Sequence, residues 1–422
     1  MNDKSIDNAL ASGKTYGDYV TAHALYAKLR REDPLHWTEP DGFRPFWAVS
    51  KHSDVMDISR QGKRFINAPR ERLLSVEFEN KVKEVMAGKP FMTKSMHLFD
   101  GADHKAYRDI TSQWFLPKHI QSLETKVATL AKAAVDDLQA RGSACDFYRD
   151  IAVWYPLRVI MLILGLPESD ATQLQRFTSS IFGGGDPEML TAGGAIEATQ
   201  NFRRYFDVVH ADRRARPKDD VASLIANATI DGRPIEYYES SSYYIALATA
   251  GHDTTSASIA GGLLALIQNP DEWRKLQQDP GLVDMAADEM IRWVSPIKHF
   301  FRTAAEDCEV RGKDIKAGDN LMLLFPSANR DEEAFEQANA FRVDRKPNRH
   351  VGFGFGVHMC LGQALAKFEM RILFRELLAR VGHFELNGEP RWVETAFIGG
   401  VKQLPVRVTF KRAAAQSSSV QG

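Results

Sequence analysis

The chain has 422 residues, with 54 Lys and Arg against 55 Asp and Glu, a formal net charge of -1 and 44% hydrophobic residues. That length suits one large domain or two average ones, and so balanced a charge gives no field to draw nucleic acid. The three cysteines, Cys145, Cys308 and Cys360, are too few and too widely spaced for a disulfide framework or a zinc site. A reducing, cytoplasmic setting is expected, with Cys145 and Cys308 as core or structural residues.

Residues 1–20 read as a polar N-terminal extension without a signal peptide or anchor, 21–412 as the folded domain, and 413–422 as a disordered tail of small polar residues. The pair Asp41-Gly42 marks a turn between strand-like runs at 37–39 and 45–49. Residues 70–94 suit a loop with a short helix. From Lys105 to about Arg292 the pattern is almost wholly helical. The longest apolar segment, 153–166, is interrupted by Pro156 and Arg158 and is too short to span a bilayer, so it reads as a buried helix and no membrane contact is expected. Beyond Pro296, short strands return at 309–311 and 320–325, punctuated by Gly312 and Gly318. A helix over 361–378 and a strand at 406–410 follow, giving a mostly helical body with small sheets at one side.

Residues 241–268 form the longest helical pattern, stopped by Asn269-Pro270 and about 40 Å long at the usual rise. Its apolar residues leave little polar face, yet its centre reads Ala250-Gly251-His252-Asp253-Thr254-Thr255. A carboxylate in a buried helix is costly unless paired, and an interior glycine costs about 1 kcal/mol against alanine. Threonine can bond back to the carbonyl four residues earlier and bend the helix. Broken local rules in an otherwise consistent element point to function; a kinked core helix with a solvated Asp is the plainer alternative.

Three further groupings carry chemistry. Glu289 and Arg292 are three apart and share a helix face, a spacing that most often gives a surface salt bridge of small value. His104 and Arg108, four apart, face one way, and Arg302 follows the Pro296 break. Last comes Phe353-Gly354-Phe355-Gly356-Val357-His358-Met359-Cys360-Leu361-Gly362. Here a cysteine precedes an apolar helical pattern, where unpartnered N–H groups and the helix dipole favour an anion. Both effects are expected to lower the thiol pKa. Gly354, Gly356 and Gly362 remove side chains where the backbone must turn or approach a flat partner. A thiolate so placed binds metal or attacks.

The run 353–362 resembles the haem-thiolate loop of the cytochromes P-450, and the resemblance extends over nearly the whole chain. It implies a mainly α, single-domain triangular P-450 fold with small β-sheets. It implies haem b (iron protoporphyrin IX heme) bound through the Cys360 thiolate as the metal ligand, with Phe353 stacked near the sulfur and Gly362 close to the cofactor. By the same resemblance, Ala250 and Gly251 open a groove for dioxygen, Thr254 donates a hydrogen bond toward it, and Asp253 passes protons from solvent; His252 receives no role. Glu289, Arg292 and Arg345 become a buried structural set that locks the loop beneath the haem. His104, Arg108, Arg302 and His358 become the clamp on the propionates, guanidinium groups suiting carboxylates through paired donors.

The activity so implied is haem-thiolate monooxygenation, for which a thiolate ligand favours O–O cleavage. Electrons must come from outside, since the chain has no room for a fused flavin or iron–sulfur domain. A [2Fe–2S] ferredoxin with an NAD(P)H-dependent reductase is the expected source, docking on Lys105, Lys118, Lys367 and Arg371. The stretches 244–255, 327–333 and 347–350 narrow the resemblance to bacterial members that hydroxylate a monoterpene alcohol. They suggest a compact hydrophobic substrate, terpenoid or alkyl-substituted aromatic, lined by Leu247, Ala250, Ile297, Phe300, Phe397 and Ile398. Lys298 and His299 depart from an apolar pocket. Steroid or fatty-acid substrates in the same fold are the alternative, as is a haem protein that binds gas or carries electrons without turnover.

Overall fold

The turn at Asp41-Gly42 joins β1 (Leu35–Thr38) to β2 (Phe46–Val49), antiparallel with Leu35 opposite Val49. Three more strands complete this sheet: β3 (Phe65–Ile66), β4 (His299–Ala304) and β5 (Asn320–Leu324). The order is β1-β2-β5-β4-β3, parallel only between β2 and β5. The computed structural model describes residues 3–183, 186–189 and 194–412; the tail expected at 413–422 lies outside them.

Residues expected to form an extension carry two helices, Asp3–Ala11 and Gly13–Gly17, whose Ile6, Leu10 and Tyr16 are buried. Asp7 holds the buried His36 ring at 2.8 Å. Gly13 is obligatory here, because a Cβ would stand 2.4 Å from the Glu394 carbonyl oxygen.

Six helices frame the interior: α1 (Gly101–Ser112), α2 (Trp154–Leu164), α3 (Ala171–Phe182), α4 (Tyr237–Gln268), α5 (Val283–Val294) and α6 (Gln363–Arg380). Pro156 falls in the first turn of α2, where its missing N–H costs nothing, and Gly165 ends that helix at φ 64°. A π-helical turn, Tyr148–Ala152, precedes α2.

Helix α4 starts four residues before the predicted boundary. Glu236 and Glu239 form a reciprocal capping box that satisfies orphan N–H groups there. At about 48 Å it crosses the domain, packed on α2, α3, α5 and α6. Gly261 and Gly262 let α5 close in, since a Cβ at either would stand 2.6 Å from Val294 or Met290. Tyr243, Tyr244, Ile259 and Leu263 of α4 join Leu157, Ile160 and Ile163 of α2 in the main core, each such side chain gaining about 1.5–3 kcal/mol by burial. No helix among the described residues is long and apolar enough to cross a membrane.

Candidate haem-thiolate site

The cysteine loop is held by its own backbone. Cys360 N–H donates to the Phe353 carbonyl at 2.8 Å, Gly354 N–H to Val351 at 2.9 Å and Met359 N–H to Gly356 at 3.1 Å. Gly354 and Gly356 sit at φ 70° and 76°, and a Cβ on Gly356 would lie 2.4 Å from the Ser59 carbonyl oxygen. Helix α6 starts at Gln363, two residues later than predicted, so Cys360 stands ahead of the helix and not in its first turn. The N–H groups of Gly362 and Gln363 still reach the thiol and, with Arg108, pull its pKa down. The lowering effect expected of the loop is therefore present, but enclosure by the fold outweighs it and the net direction is up. Desolvation of a thiolate depends on tertiary enclosure, which local sequence does not display.

Beneath the loop, the Glu289 carboxylate accepts both Nε and Nη2 of Arg292 at 2.7 Å and Nε of Arg345 at 3.0 Å. Arg292 also donates to the carbonyls of Asn329, Ala338 and Ala340. Glu289 and Arg292 are fully buried, so this is no surface pair. Asn329 continues the lock, its side-chain oxygen accepting Val351 N–H at 2.8 Å.

The four expected propionate partners gather at one rim. The rings of His104 and His358 lie 4.0 Å apart, and His358 approaches Asp100 at 3.6 Å. Arg108, one turn after His104, acts on both His104 and Cys360. Burial pushes His104 down to about 4, with His358 and Arg108 adding to it. Arg302 is a buried guanidinium whose hydrogen bond goes to the adjacent Phe301 carbonyl; burial holds it down at about 10. A buried cation so poorly paired calls for an anion.

On α4, burial fails at one place. Ala250 is exposed in the middle of a helix buried on either side of it, Gly251, Asp253 and Thr254 are half-buried, and Cys360 is exposed although protein encloses it. Thr254 Oγ1 donates to the Ala250 carbonyl at 2.6 Å. Asp253 has Oδ1 3.2 Å from His252 Nδ1 while Oδ2 is buried without a partner. Burial raises its carboxyl above the usual range, opposed by His252. These features fit a haem: an accessible thiol, a bare alanine on the crossing helix, and rim cations for two propionates.

The expected pocket residues are all apolar. Phe300 and Phe397 meet edge to face at 5.5 Å, Ile297 bridges Ile398, and Leu247 is buried on α4. His299 Nε2 accepts Leu73 N–H at 3.0 Å, its ring lies 5.5 Å from that of Phe397, and burial pushes it down to about 3. Lys298 packs beside Gly399 and acts on His23, and burial lowers it to about 8. Of the basic residues expected to receive a donor protein, Lys105, Lys367 and Arg371 are engaged with Asp109, Asp288 and Asp284.

Sequence reasoning missed three features. Glu369 on α6 is 1% exposed, leaves Oε2 unpartnered, and is driven well above the usual range by burial against a hydrogen bond with Thr255. Its signal was a carboxylate between Phe368 and Met370 on a buried face. Tyr148 shares a small cavity with Asp253 and was visible only as another aromatic. Val357 and Met359 are 62% and 41% exposed beside Cys360, apolar residues left on the surface.

The accessible cysteine loop, the acid and alcohol at the bare point of the crossing helix and the cations at the rim are arranged as the resemblance to a haem-thiolate protein implies. The family described as Cytochrome P450 matches residues 212–399. The chain is 42% identical over 406 residues to Cytochrome P450-terp of Pseudomonas sp, covering 93% of this chain and 95% of that protein. It is 33% identical over 385 residues to Linalool 8-monooxygenase of Pseudomonas putida, covering 91% and 95%. The crystal structure of CYP108D1 from Novosphingobium aromaticivorans DSM12444 superposes with a TM-score of 0.91 at 38% identity, covering 97% and 100%. The chain belongs to the cytochrome P450 family and is a monooxygenase with the haem-thiolate cofactor of that family.

Proposed function

We propose that the enzyme hydroxylates a compact hydrophobic substrate, a terpenoid or alkyl-substituted aromatic. The apolar side chains of Phe300, Phe397, Ile297, Ile398 and Leu247 carry this reading, since aromatic and aliphatic surfaces bind apolar bodies and exclude water. The similar protein named for linalool oxidation points the same way. Cys360 would hold the haem, which would supply activation of O2 and insertion of one oxygen atom into a C–H bond. Arg108, Arg302, His104 and His358 would hold its propionates, and Phe353 and Gly362 would bound it near the sulfur. Ala250 and Gly251 would leave room for dioxygen. Thr254 swings its hydroxyl proton from the Ala250 carbonyl toward that room, and Asp253 resupplies it. Glu289, Arg292 and Arg345 keep the cysteine loop in register.

Two electrons come from a [2Fe–2S] ferredoxin and its NAD(P)H-dependent reductase in the cytoplasm. Exposed Val357 and Met359, flanked by Arg60 over the Phe355 ring, offer an apolar centre for docking. The test is a haem spin-state titration with monoterpenes, alkylbenzenes, steroids and fatty acids. Compact ligands should give the high-spin shift at the lowest concentrations; a shift with steroids or fatty acids alone would overturn the substrate class.

A further inference from the structure

Each hydroxylation takes up O2, two electrons and two protons and releases one water, so Asp253 has to be reloaded from another source. Its Oδ2 is buried without a partner among the described residues, and a buried polar atom left so calls for a donor. The Asp253 side chain borders a small cavity between α4, the π-helical turn and the end of α3. Space for water centres there is about 30 Å³, above the roughly 10–15 Å³ that one water needs.

Two hydroxyls line the same cavity. Ser179 of α3 accepts Gln175 Nε2 at 2.9 Å, which leaves its own hydrogen to donate. Tyr148 comes from the π-helical turn, where the Val153 N–H reaches back five residues to the Tyr148 carbonyl at 3.0 Å. Such turns collect at functional sites. Burial first, and then the charge of Asp253, holds the phenol protonated, so it too is a donor. Tyr148, Ser179 and Met189 are only half-buried, which puts the cavity near the surface.

The rest of the lining competes little for water. Ala257, Val393 and Ile398 are apolar, and Gly400 packs so closely on α4 that a Cβ would stand 2.7 Å from that of Ala257. Two cations adjoin the lining in sequence, and both are engaged elsewhere. Lys402 donates to Asp186 at 2.6 Å, and Arg149 stands 3.6 Å from Asp146.

We propose that this cavity is an internal water site that reloads Asp253, with Tyr148 and Ser179 as the positioning residues that hold water against its carboxyl. The proposal rests on the reading of Asp253 and Thr254 as the proton path. A water that accepts from both hydroxyls has its lone pairs engaged, and its hydrogens point to the remaining acceptor, the carboxylate. The carboxylate takes one of those hydrogens while the water takes one from a solvent hydronium. One proton thus leaves the solvent, one arrives on Asp253, and the water is restored.

Two measurements on the holoenzyme test this. A crystal structure should show ordered water about 2.5–3.0 Å from an Asp253 oxygen and from the Tyr148 or Ser179 hydroxyl. A dry cavity, or water that touches neither hydroxyl, overturns the proposal. In turnover, the double variant Tyr148→Phe with Ser179→Ala should keep the substrate-induced spin shift. It should lose roughly tenfold in product per NAD(P)H, as for a proton donor displaced but not removed, with a larger solvent isotope effect. Wild-type coupling and isotope effect in that variant would overturn the proposal as well. Tyr148→Phe with Ser179→Thr returns one hydroxyl and should recover part of the coupling; no recovery would assign the loss to packing and sink the water site. If Thr254→Ala stays fully coupled, the proton path itself fails. If Thr254→Ala uncouples while the double variant does not, only the water site is lost.

Discussion

The two sides of the haem site treat buried polar groups in opposite ways. On the cysteine side, Glu289 accepts from Arg292, Arg345, Asn348 and the Arg342 N–H, and Arg292 spends its remaining donors on three carbonyls. On the α4 side, Asp253 Oδ2 is buried with no partner among the described residues, and Thr254 donates to its own helix. Dense pairing makes a rigid mount, because any movement breaks several bonds, even though Asn348 Oδ1 is left without a partner among the described residues. Unsatisfied carboxyls at a bare point on a helix are expensive to keep, and their use is to exchange protons. One side holds still and the other works.

The largest effect should come from the mount's single point of attachment. Cys360→Ser is expected to abolish the red-shifted Soret band of the reduced carbon monoxide complex and reduce hydroxylation below detection. An unaltered band would place the ligand elsewhere. Next is the lock beneath it. Glu289→Ala leaves the guanidinium groups of Arg292 and Arg345 uncompensated in the interior, and breaking a buried pair costs about 3–5 kcal/mol. Denaturant unfolding of the holoprotein should show that loss together with reduced haem content; a change below about 1 kcal/mol, the scale of an exposed pair, would mean that the cluster is solvated in solution.

The working side should respond in function, not stability. Thr254→Ala removes one hydroxyl that, among the described residues, bonds only the Ala250 carbonyl, so folding should be nearly unaffected. Product per NAD(P)H should fall roughly ten- to a hundredfold, in keeping with loss of a proton-transfer group, with hydrogen peroxide making up the difference. Product yield unchanged at equal electron consumption would remove Thr254 from proton delivery.

This contrast also governs what the sequence made legible. Local patterns carried the glycines around Cys360 and the long apolar helix ended by Asn269-Pro270. The spacing of Glu289 and Arg292 alone reads as a surface pair, and their burial with Arg345 follows only from the family resemblance. The Asp253-Thr254 pair stood out because it violates the helix around it. Features set by distant partners did not. The rise of the Cys360 thiol comes from enclosure, and the His252 ring is anchored by Val153 and Thr178, 99 and 74 residues away. The N-terminal helices looked like an extension because their polar residues dominate the composition. Asp7 reaches His36 and Gly13 reaches Glu394 only once the chain has folded.

A last measurement tests whether costly burial extends beyond the α4 side. Lys298 is buried behind the Ile297–Ile398 bridge and is lowered from 10.5 to about 8 by desolvation alone. Between those values the unfolded chain binds the proton that the folded chain has released, so stability rises with pH through that window and is lost as pH falls toward 8. Near neutral pH the ammonium is retained in the fold at a cost, and Lys298→Met should recover roughly 3 kcal/mol or less. Unfolding free energies of the two holoproteins between pH 7 and 10 should converge as pH rises, the methionine variant being the more stable at the low end. Parallel curves would mean that an anion or water accompanies the ammonium, and that Lys298 belongs with the satisfied groups of the mount.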